Sequence, residues 1–277
     1  MTDIRNKLAS LADGEAGIVY IGQAGFILAG GGTVAAVDPY LSFSVDRACE
    51  KGDGLWTRRY APPVMPEEMG FVDYVFVSHD HLDHADPETL SGIAKANPAV
   101  KVVCSAAIAD AVRGYGCANV IALHDGGVVD CGGFCARMIP AAHEEVHRDA
   151  AGEIAEAGFV FDFGKVRVYH SGDSLVYDGL IEAVRGIDVM LLPVNGNGYF
   201  RRADNIVGNM DAFDAARLAK ECGARLMIPM HYDLYAGNSI PDEAVTAIVS
   251  AAAPGLDCRL PSPGQGWIVG DGKIAAL

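Results

Sequence analysis

The apolar segment Tyr74-Val75-Phe76-Val77 runs straight into Ser78-His79-Asp80-His81-Leu82-Asp83-His84, so three imidazoles and two carboxylates crowd the end of one buried strand. Such a burst puts metal-ligating groups at the rim of a sheet, where a cleft can form. Imidazole suits zinc, iron and manganese, and carboxylate suits the harder end of that range. The same address recurs: His143 follows an apolar strand at 134–140, Asp173 one at 166–170, and His231 one at Leu226–Met230. In a layered sheet protein, strand ends of this kind converge on one rim.

Other short apolar runs at 18–21, 25–28 and 34–37 open as a meander and stop at Asp38-Pro39. Residues 39–70 read as irregular and proline-bearing, and a loop that long in a compact fold tends to be a functional flap. Further strands are expected at 100–104, 119–123, 128–130, 157–163, 189–193 and, closing the chain, 267–269. Helical spacing covers 87–96, with Asp86 as N-cap and Pro87 in the first turn, and also 106–113, 177–185 and 242–252. A helix at 212–222 is capped by Asn209 or Asp211 and ended by Gly223. Hairpins early and alternating strands and helices later imply two mixed β-sheets packed together with helices outside. No linker divides residues 1–277, which read as one domain.

The 277 residues are 51% hydrophobic, enough for a large core, and carry a formal charge of −15. That charge argues against nucleic acid or an acidic membrane as partner. No apolar run reaches spanning length and the N-terminus lacks a signal-peptide pattern, so a cytoplasmic location is expected. Seven dispersed cysteines fit a reducing compartment rather than a disulfide framework.

Each candidate has a plainer reading. His124 reads as structural. His147 would share a helix face with His143 and rival it as a ligand, while His170 reads as an outer support for Asp173. Arg58-Arg59 and Arg201-Arg202 are either solvated pairs or receivers of an anionic substrate. Asn209 either caps a helix or binds an oxyanion, and the 195–198 loop is a candidate site wall. Five imidazoles and two carboxylates buried with no metal would leave many polar groups unsatisfied.

The series His79-x-His81-x-Asp83-His84, His143, Asp173, His231 resembles the ligand series of the metallo-β-lactamase fold. The resemblance implies an α/β four-layer αββα sandwich of two mixed sheets with a dinuclear centre at one edge. It implies that His79, His81 and His143 hold one divalent ion, that Asp83, His84 and His231 hold a second, and that Asp173 bridges them. Asp38-Pro39-Tyr40-Leu41-Ser42, Tyr169-His170-Ser171-Gly172-Asp173 and Ile228-Pro229-Met230-His231-Tyr232 further resemble the L-ascorbate-6-phosphate lactonase-like branch. That narrower resemblance implies Mn2+ in preference to Zn2+ or Fe2+, self-association as in relatives, and a phosphorylated sugar-acid lactone or similar small anionic ester as substrate.

In this reading a metal-bridging hydroxide attacks the carbonyl, with Asp83 and Asp173 acting in catalysis. Asn209, Arg201, Arg202 and Tyr232 would contact substrate, Tyr232 as a donor to the oxyanion. The competing readings are a phosphodiesterase of the same fold, a di-iron oxidoreductase (whose relatives carry a flavin domain for which this chain has no room) and a non-catalytic metal-binding protein.

Overall fold

The chain lays down six strands of one sheet, builds the second sheet, and then returns to the first. The computed structural model describes residues 2–203, 206–270 and 272–277. Strands β1 (Ala16–Gly22), β2 (Gly25–Gly30), β3 (Thr33–Val37), β4 (Tyr74–Val77), β5 (Lys101–Ser105) and β6 (Asn119–Leu123) lie side by side in that order. The second sheet follows as β7 (Val128–Asp130), β8 (Cys135–Pro140), β9 (Ala157–Asp162), β10 (Arg167–His170), β11 (Val189–Pro193), β12 (Leu226–Met230) and β13 (Asp257–Cys258). Finally β14 (Gly266–Val269) pairs on β1, with β15 (Ile274–Ala276) outside it.

Both sheets are mixed. From β14 through β3 the first sheet is antiparallel, and from β3 to β6 it is parallel. The second is antiparallel from β7 to β10 and parallel from β10 to β13.

Alternation of side chains explains the layering. In β4, Tyr74 and Phe76 face the space between the sheets, while Val75 and Val77 face outward. Strands β1 and β11 divide in the same way: Ile18 and Leu191 point inward, Val19 and Leu192 outward. A strand covered on both faces reads as an unbroken apolar run. Between the sheets, Phe76 meets Phe159 and Phe161 edge-on at 5.2 and 4.9 Å. Phe76→Ala would open a cavity there at a cost of about 3–5 kcal/mol.

Leu90 and Ile93 of helix Pro87–Ala96 cover the outer face of the first sheet, with Val112 of helix Ala109–Gly114. Ala215 and Ala219 of helix Ala212–Cys222 cover the second sheet with Val245 and Val249 of helix Asp242–Ala252. The result is the αββα sandwich. No helix among the described residues is long and apolar enough to cross a membrane.

Several expectations are refined by local chemistry. Asp86 caps its helix through the Glu88 and Thr89 amides. Asp211, not Asn209, caps 212–222, accepting from the Phe213 and Asp214 amides. The helix expected at 177–185 shrinks to Leu180–Ala183, because Gly179 enters at φ +96° and interrupts the turn before it. Segment 39–70 is less irregular than its prolines suggest and contains helix Ser44–Cys49. No helix forms at 143–147, where Glu144 has φ +72° and His143 pairs with Glu145 in an isolated bridge. Strand β15 follows the strand expected to close the chain.

Strand direction assembles the site. Strands β1, β3 and β4 run the same way in the first sheet, and β8, β10 and β12 run the same way in the second. Their C-terminal ends deliver Gln23, Asp38, the 79–84 loop, His143, Asp173 and His231 to one edge. At that edge the sheets almost touch. The Ala157 amide donates to the Ser78 carbonyl at 2.9 Å, and a Cβ on Gly172 (φ +59°) would lie 2.5 Å from the Ala157 oxygen. Only glycine fits there.

Candidate metal centre

All seven expected ligands meet. His79, His81 and His143 form one group, His79, His84 and Asp173 a second, and Asp83, His84 and His231 a third, with candidate ligand atoms in each within 4.8 Å of one another. The groups share His79 and His84 and so make one continuous cluster. Asp173 lies at its middle: Oδ1 is 3.4 Å from His84 Nε2, while Oδ2 is 3.3 Å from His231 Nε2 and 3.8 Å from His143 Nε2. Asp83 Oδ2 lies 3.1 Å from His231 Nε2.

The ring nitrogens facing away are held. His84 Nδ1 donates to Asp38 Oδ2 at 2.8 Å. Ser78 Oγ donates to the same carboxylate oxygen at 2.6 Å and lies 2.9 Å from His79 Nδ1, which donates to it. His143 Nδ1 donates to the Gly208 carbonyl at 3.2 Å. These partners fix the rings with Nε2 aimed inward, as outer partners of metal-bound histidines do. His170 supports Asp173 through the backbone: its Nε2 donates to the Ala24 carbonyl, and its Nδ1 accepts from the Gly172 amide at 3.1 Å.

The buried carboxylates and imidazoles also shift one another. Burial alone would raise the Asp173 pKa, yet His231 and His84 hold it well below the usual carboxylate range. Burial raises Asp83 too, and His84 and His231 overcome it. Burial lowers His84, and the carboxylates of Asp173, Asp83 and Asp38 more than reverse the effect. His79 falls well below its usual value through burial and the charge of His84.

Two buried atoms, His84 Nε2 and Asp173 Oδ1, face each other with no hydrogen-bond partner. A buried polar group left unpaired is costly. A divalent cation between these groups satisfies both, so the residues present fit the metal that the donor set implies.

Backbone strain gathers here as well. The non-glycine residues at positive φ among the described ones are Gln23 (+56°), Asp38 (+43°), Glu144 (+72°) and His231 (+62°), all in the cluster or beside it. Each such residue costs about 1–3 kcal/mol and persists only where its surroundings enforce it.

The model of the beta-lactamase superfamily domain matches residues 17–231. A metal-dependent hydrolase of the UPF0173 family from Rubrobacter xylanophilus is 30% identical over 230 residues, covering 79% of this chain and 82% of the relative. The chain belongs to the beta-lactamase superfamily, among its UPF0173 metal-dependent hydrolases. A UPF0173 relative from Archaeoglobus fulgidus is 29% identical over 256 residues, 90% of this chain and 97% of that protein. Among solved structures, the metallo hydrolase Igni18 of Ignicoccus hospitalis superposes with a TM-score of 0.69 at 20% identity, over 93% of this chain and 99% of that one.

Beside the candidate ligands lies a cavity of about 330 Å³. His81, Asp83, His143, Asp173 and His231 line it, and Val45, Cys49 and Trp56 from the 39–70 segment line it too. The four residues expected at the substrate are placed elsewhere. Arg201 donates to Asn238 Oδ1, and Arg202 is exposed. Asn209 is fully buried and donates to Asn195 Oδ1 at 3.2 Å. Tyr232 packs in the outer core of the second sheet. None of the four lines the cavity. His147 pairs with Glu156 at 3.2 Å and His124 with Glu153 at 2.7 Å, both outside the cluster.

Sequence reasoning missed Gln23. Its Nε2 donates to Asp83 Oδ2 at 2.8 Å and lies 3.1 Å from His231 Nε2. The tight β1–β2 turn, Gly22-Gln23-Ala24-Gly25, was its only signal.

Proposed function

We propose that this metal-dependent hydrolase cleaves a small ester or lactone with two divalent ions, held by His79, His81 and His143 on one side and Asp83, His84 and His231 on the other, with Asp173 between them. The observation that carries the reading is the unpaired facing of His84 Nε2 and Asp173 Oδ1 inside a set of seven donors. When bound, such ions acidify a water towards a pKa of ~7 and polarise the bond under attack.

The chain's own residues do the rest. Asp173, its two oxygens turned to different imidazoles, orients the attacking water and returns a proton to the leaving oxygen. Asp83, held by Gln23, fixes the second group of ligands. The donor set contains no thiolate, and the branch resemblance of the Asp38-Pro39-Tyr40 and His170-Ser171-Gly172-Asp173 segments favours Mn2+ over Zn2+.

The test is to purify the full chain without chelator, quantify bound metals, and assay ester, lactone, phosphodiester and phosphomonoester panels with Mn2+ or Zn2+ restored. Ester or lactone turnover that vanishes in His81→Ala and Asp173→Ala supports the reading. Turnover of phosphodiesters alone replaces it with a phosphodiesterase, and inertness on every panel replaces it with a metal-binding protein.

A further inference from the structure

The cavity is chemically two-sided. Besides the candidate ligands it is lined by Val45, Trp56, Leu82, Ile206, Val207 and Tyr235, with Gln23, Cys49 and Asn238, and no lysine or arginine lines it among the described residues. Of the cations near it in sequence, Arg47 pairs with Glu88, and Lys51, two residues from Cys49, is exposed, while the arginines closer to the wall are committed elsewhere. Arg58 donates to the Tyr40 and Ser42 carbonyls and stacks on the Tyr40 ring at 4.6 Å. Arg59 donates to Ser239 Oγ at 2.8 Å, and Arg201 to Asn238.

The apolar side is also built in advance. The Tyr235 hydroxyl bonds Tyr40 at 2.7 Å and Asp46 at 2.9 Å, so what Tyr235 offers the cavity is ring surface, with Trp56 5.8 Å from it. The Val45 amide donates to the Tyr40 hydroxyl at 3.1 Å, and the Arg58 amide to Asp46 at 2.8 Å. Four hydrogen bonds thus fix Tyr235 and Val45, while Leu82 and Val207 of the same lining each remain 37% exposed. A wall with only a packing role would bury these side chains. This one holds them open beside the metal ligands, as preformed small-molecule sites do.

We propose that the substrate carries, away from its scissile bond, an uncharged apolar portion seated against this wall. The proposal rests on the hydrolase reading for the bond that breaks, and it adds the class of group attached to that bond. A carboxylate or phosphate at that end would lose its water with no counter-charge to receive it, which is costly. Each methylene added within the length of the wall gains roughly three- to fourfold in specificity.

The metal-loaded full chain is offered the p-nitrophenyl esters of acetic, butanoic and hexanoic acids, and the mono-p-nitrophenyl ester of adipic acid, as long as the hexanoate but ending in carboxylate. The expected result is a rise in kcat/KM of roughly three- to fourfold per methylene from acetate to hexanoate, with the adipate at least tenfold below the hexanoate. In Trp56→Ala and Val207→Ala the rise flattens while bound-metal content stays at that of the parent. An adipate ester equal to the hexanoate, or a chain-length rise that survives both substitutions, overturns the proposal.

A second arm needs no turnover. Trp56 lines the cavity while Trp267, the other tryptophan, is 2% exposed. Fluorescence of the metal-free protein should therefore report hexanamide binding, which weakens in Val207→Ala, with adipic acid monoamide binding less well. If no ester is cleaved but hexanamide binds in this way, the hydrolytic reading fails and the apolar site stands. If hexanamide does not bind, or the charged amide binds as well, the apolar site fails whatever the chemistry.

Discussion

The two walls of the cavity are made by different means. The ligand wall stands on the ends of six parallel-running strands, and its buried imidazoles and carboxylates hold one another through Asp38, Ser78 and Gln23. The flap wall comes largely from the loop segment 39–70 and the 206–207 and 235–238 turns, and is mostly apolar where it meets the cavity, Asn238 being its polar member. Its polar atoms are turned inward to bond Tyr40, Asp46 and Tyr235. Chemistry that must be placed to a fraction of an ångström sits on strands, while recognition sits on loops that can vary without disturbing the sheets. The division holds only if damage to the first wall abolishes turnover and damage to the second merely redirects it.

The largest effect should come from the ligand wall itself. His84→Ala removes a donor shared by two of the three ligand groups, leaves Asp173 Oδ1 without the imidazole facing it, and leaves Asp38 with only its two hydrogen bonds from Ser78. Loss of the stabilisation an ion provides, several kcal/mol, predicts a fall in kcat of ~10³-fold or more. Circular dichroism should show the fold retained and metal analysis a lowered metal-to-protein ratio. A variant that keeps both metal and rate would remove the distinction between the walls.

Asp38→Asn comes next. Asp38 is fully buried and does not line the cavity, yet it receives three hydrogen bonds, from the Ser78 amide, Ser78 Oγ and His84 Nδ1. His84 holds its carboxyl below the usual range against the opposing effect of burial. The amide keeps the shape and removes the charge. Metal affinity or activity should drop 10–100-fold, measured by competition with a chromogenic chelator.

Removing the metals reveals the ligand wall's electrostatics. His84 and His231 have raised pKa values, because their carboxylate neighbours outweigh burial. Their contribution to stability in the metal-free protein is fully present below ~6.5 and is lost as pH rises through the folded-state values. Asp83 and Asp173 have lowered values, so their contribution is present above ~3.9 and is lost as pH falls through theirs. The chelated protein should therefore melt at lower temperature as pH rises above the ordinary histidine range. Added metal should reverse this, by ~2.7 kcal/mol at a hundred times Kd, and more strongly at higher pH because bound imidazoles must shed their protons. Calorimetry across pH 6–8 with and without chelator reads both slopes. A flat metal-free curve would mean that the cluster is not charged as described.

The asymmetry between the walls also governs what the sequence discloses. His79, His81, Asp83, His84, His143, Asp173 and His231 stand out in the sequence as imidazoles and carboxylates at the ends of buried strands, and the fold brings all seven into one cluster. The sandwich is legible for a related reason: strands such as Tyr74–Val77, covered on both faces, leave apolar runs with no polar interruption. The flap wall leaves no such mark. Val45, Trp56 and Val207 are residue types that any core uses, and only their exposure in a cavity sets them apart. Gln23 is hidden in the same way, since a glutamine in a glycine-flanked turn reads as a turn. Arg201 and Tyr232 misled in the opposite direction. A charge or hydroxyl in a promising stretch says nothing about where tertiary packing spends it, and here it spends them on Asn238 and on the outer core.

Arg201→Ala makes the smallest change and the sharpest comparison. The guanidinium is half-buried, its pKa is lowered by that burial, and it donates to the Asn238 oxygen that also receives Asn195 Nδ2 at 2.9 Å. Asn238 in turn contacts His231 Nδ1 at 3.2 Å. Arg201 thus acts behind the ligand wall, and its loss removes one hydrogen bond from a shared acceptor, worth about 1 kcal/mol. The expected outcome is a fall in kcat/KM of no more than about tenfold, equal for hexanoate and adipate esters. Were Arg201 instead a receiver of anions, the adipate ester alone would suffer, and a cationic patch would have to be added to a flap wall that carries no lysine or arginine among the described residues.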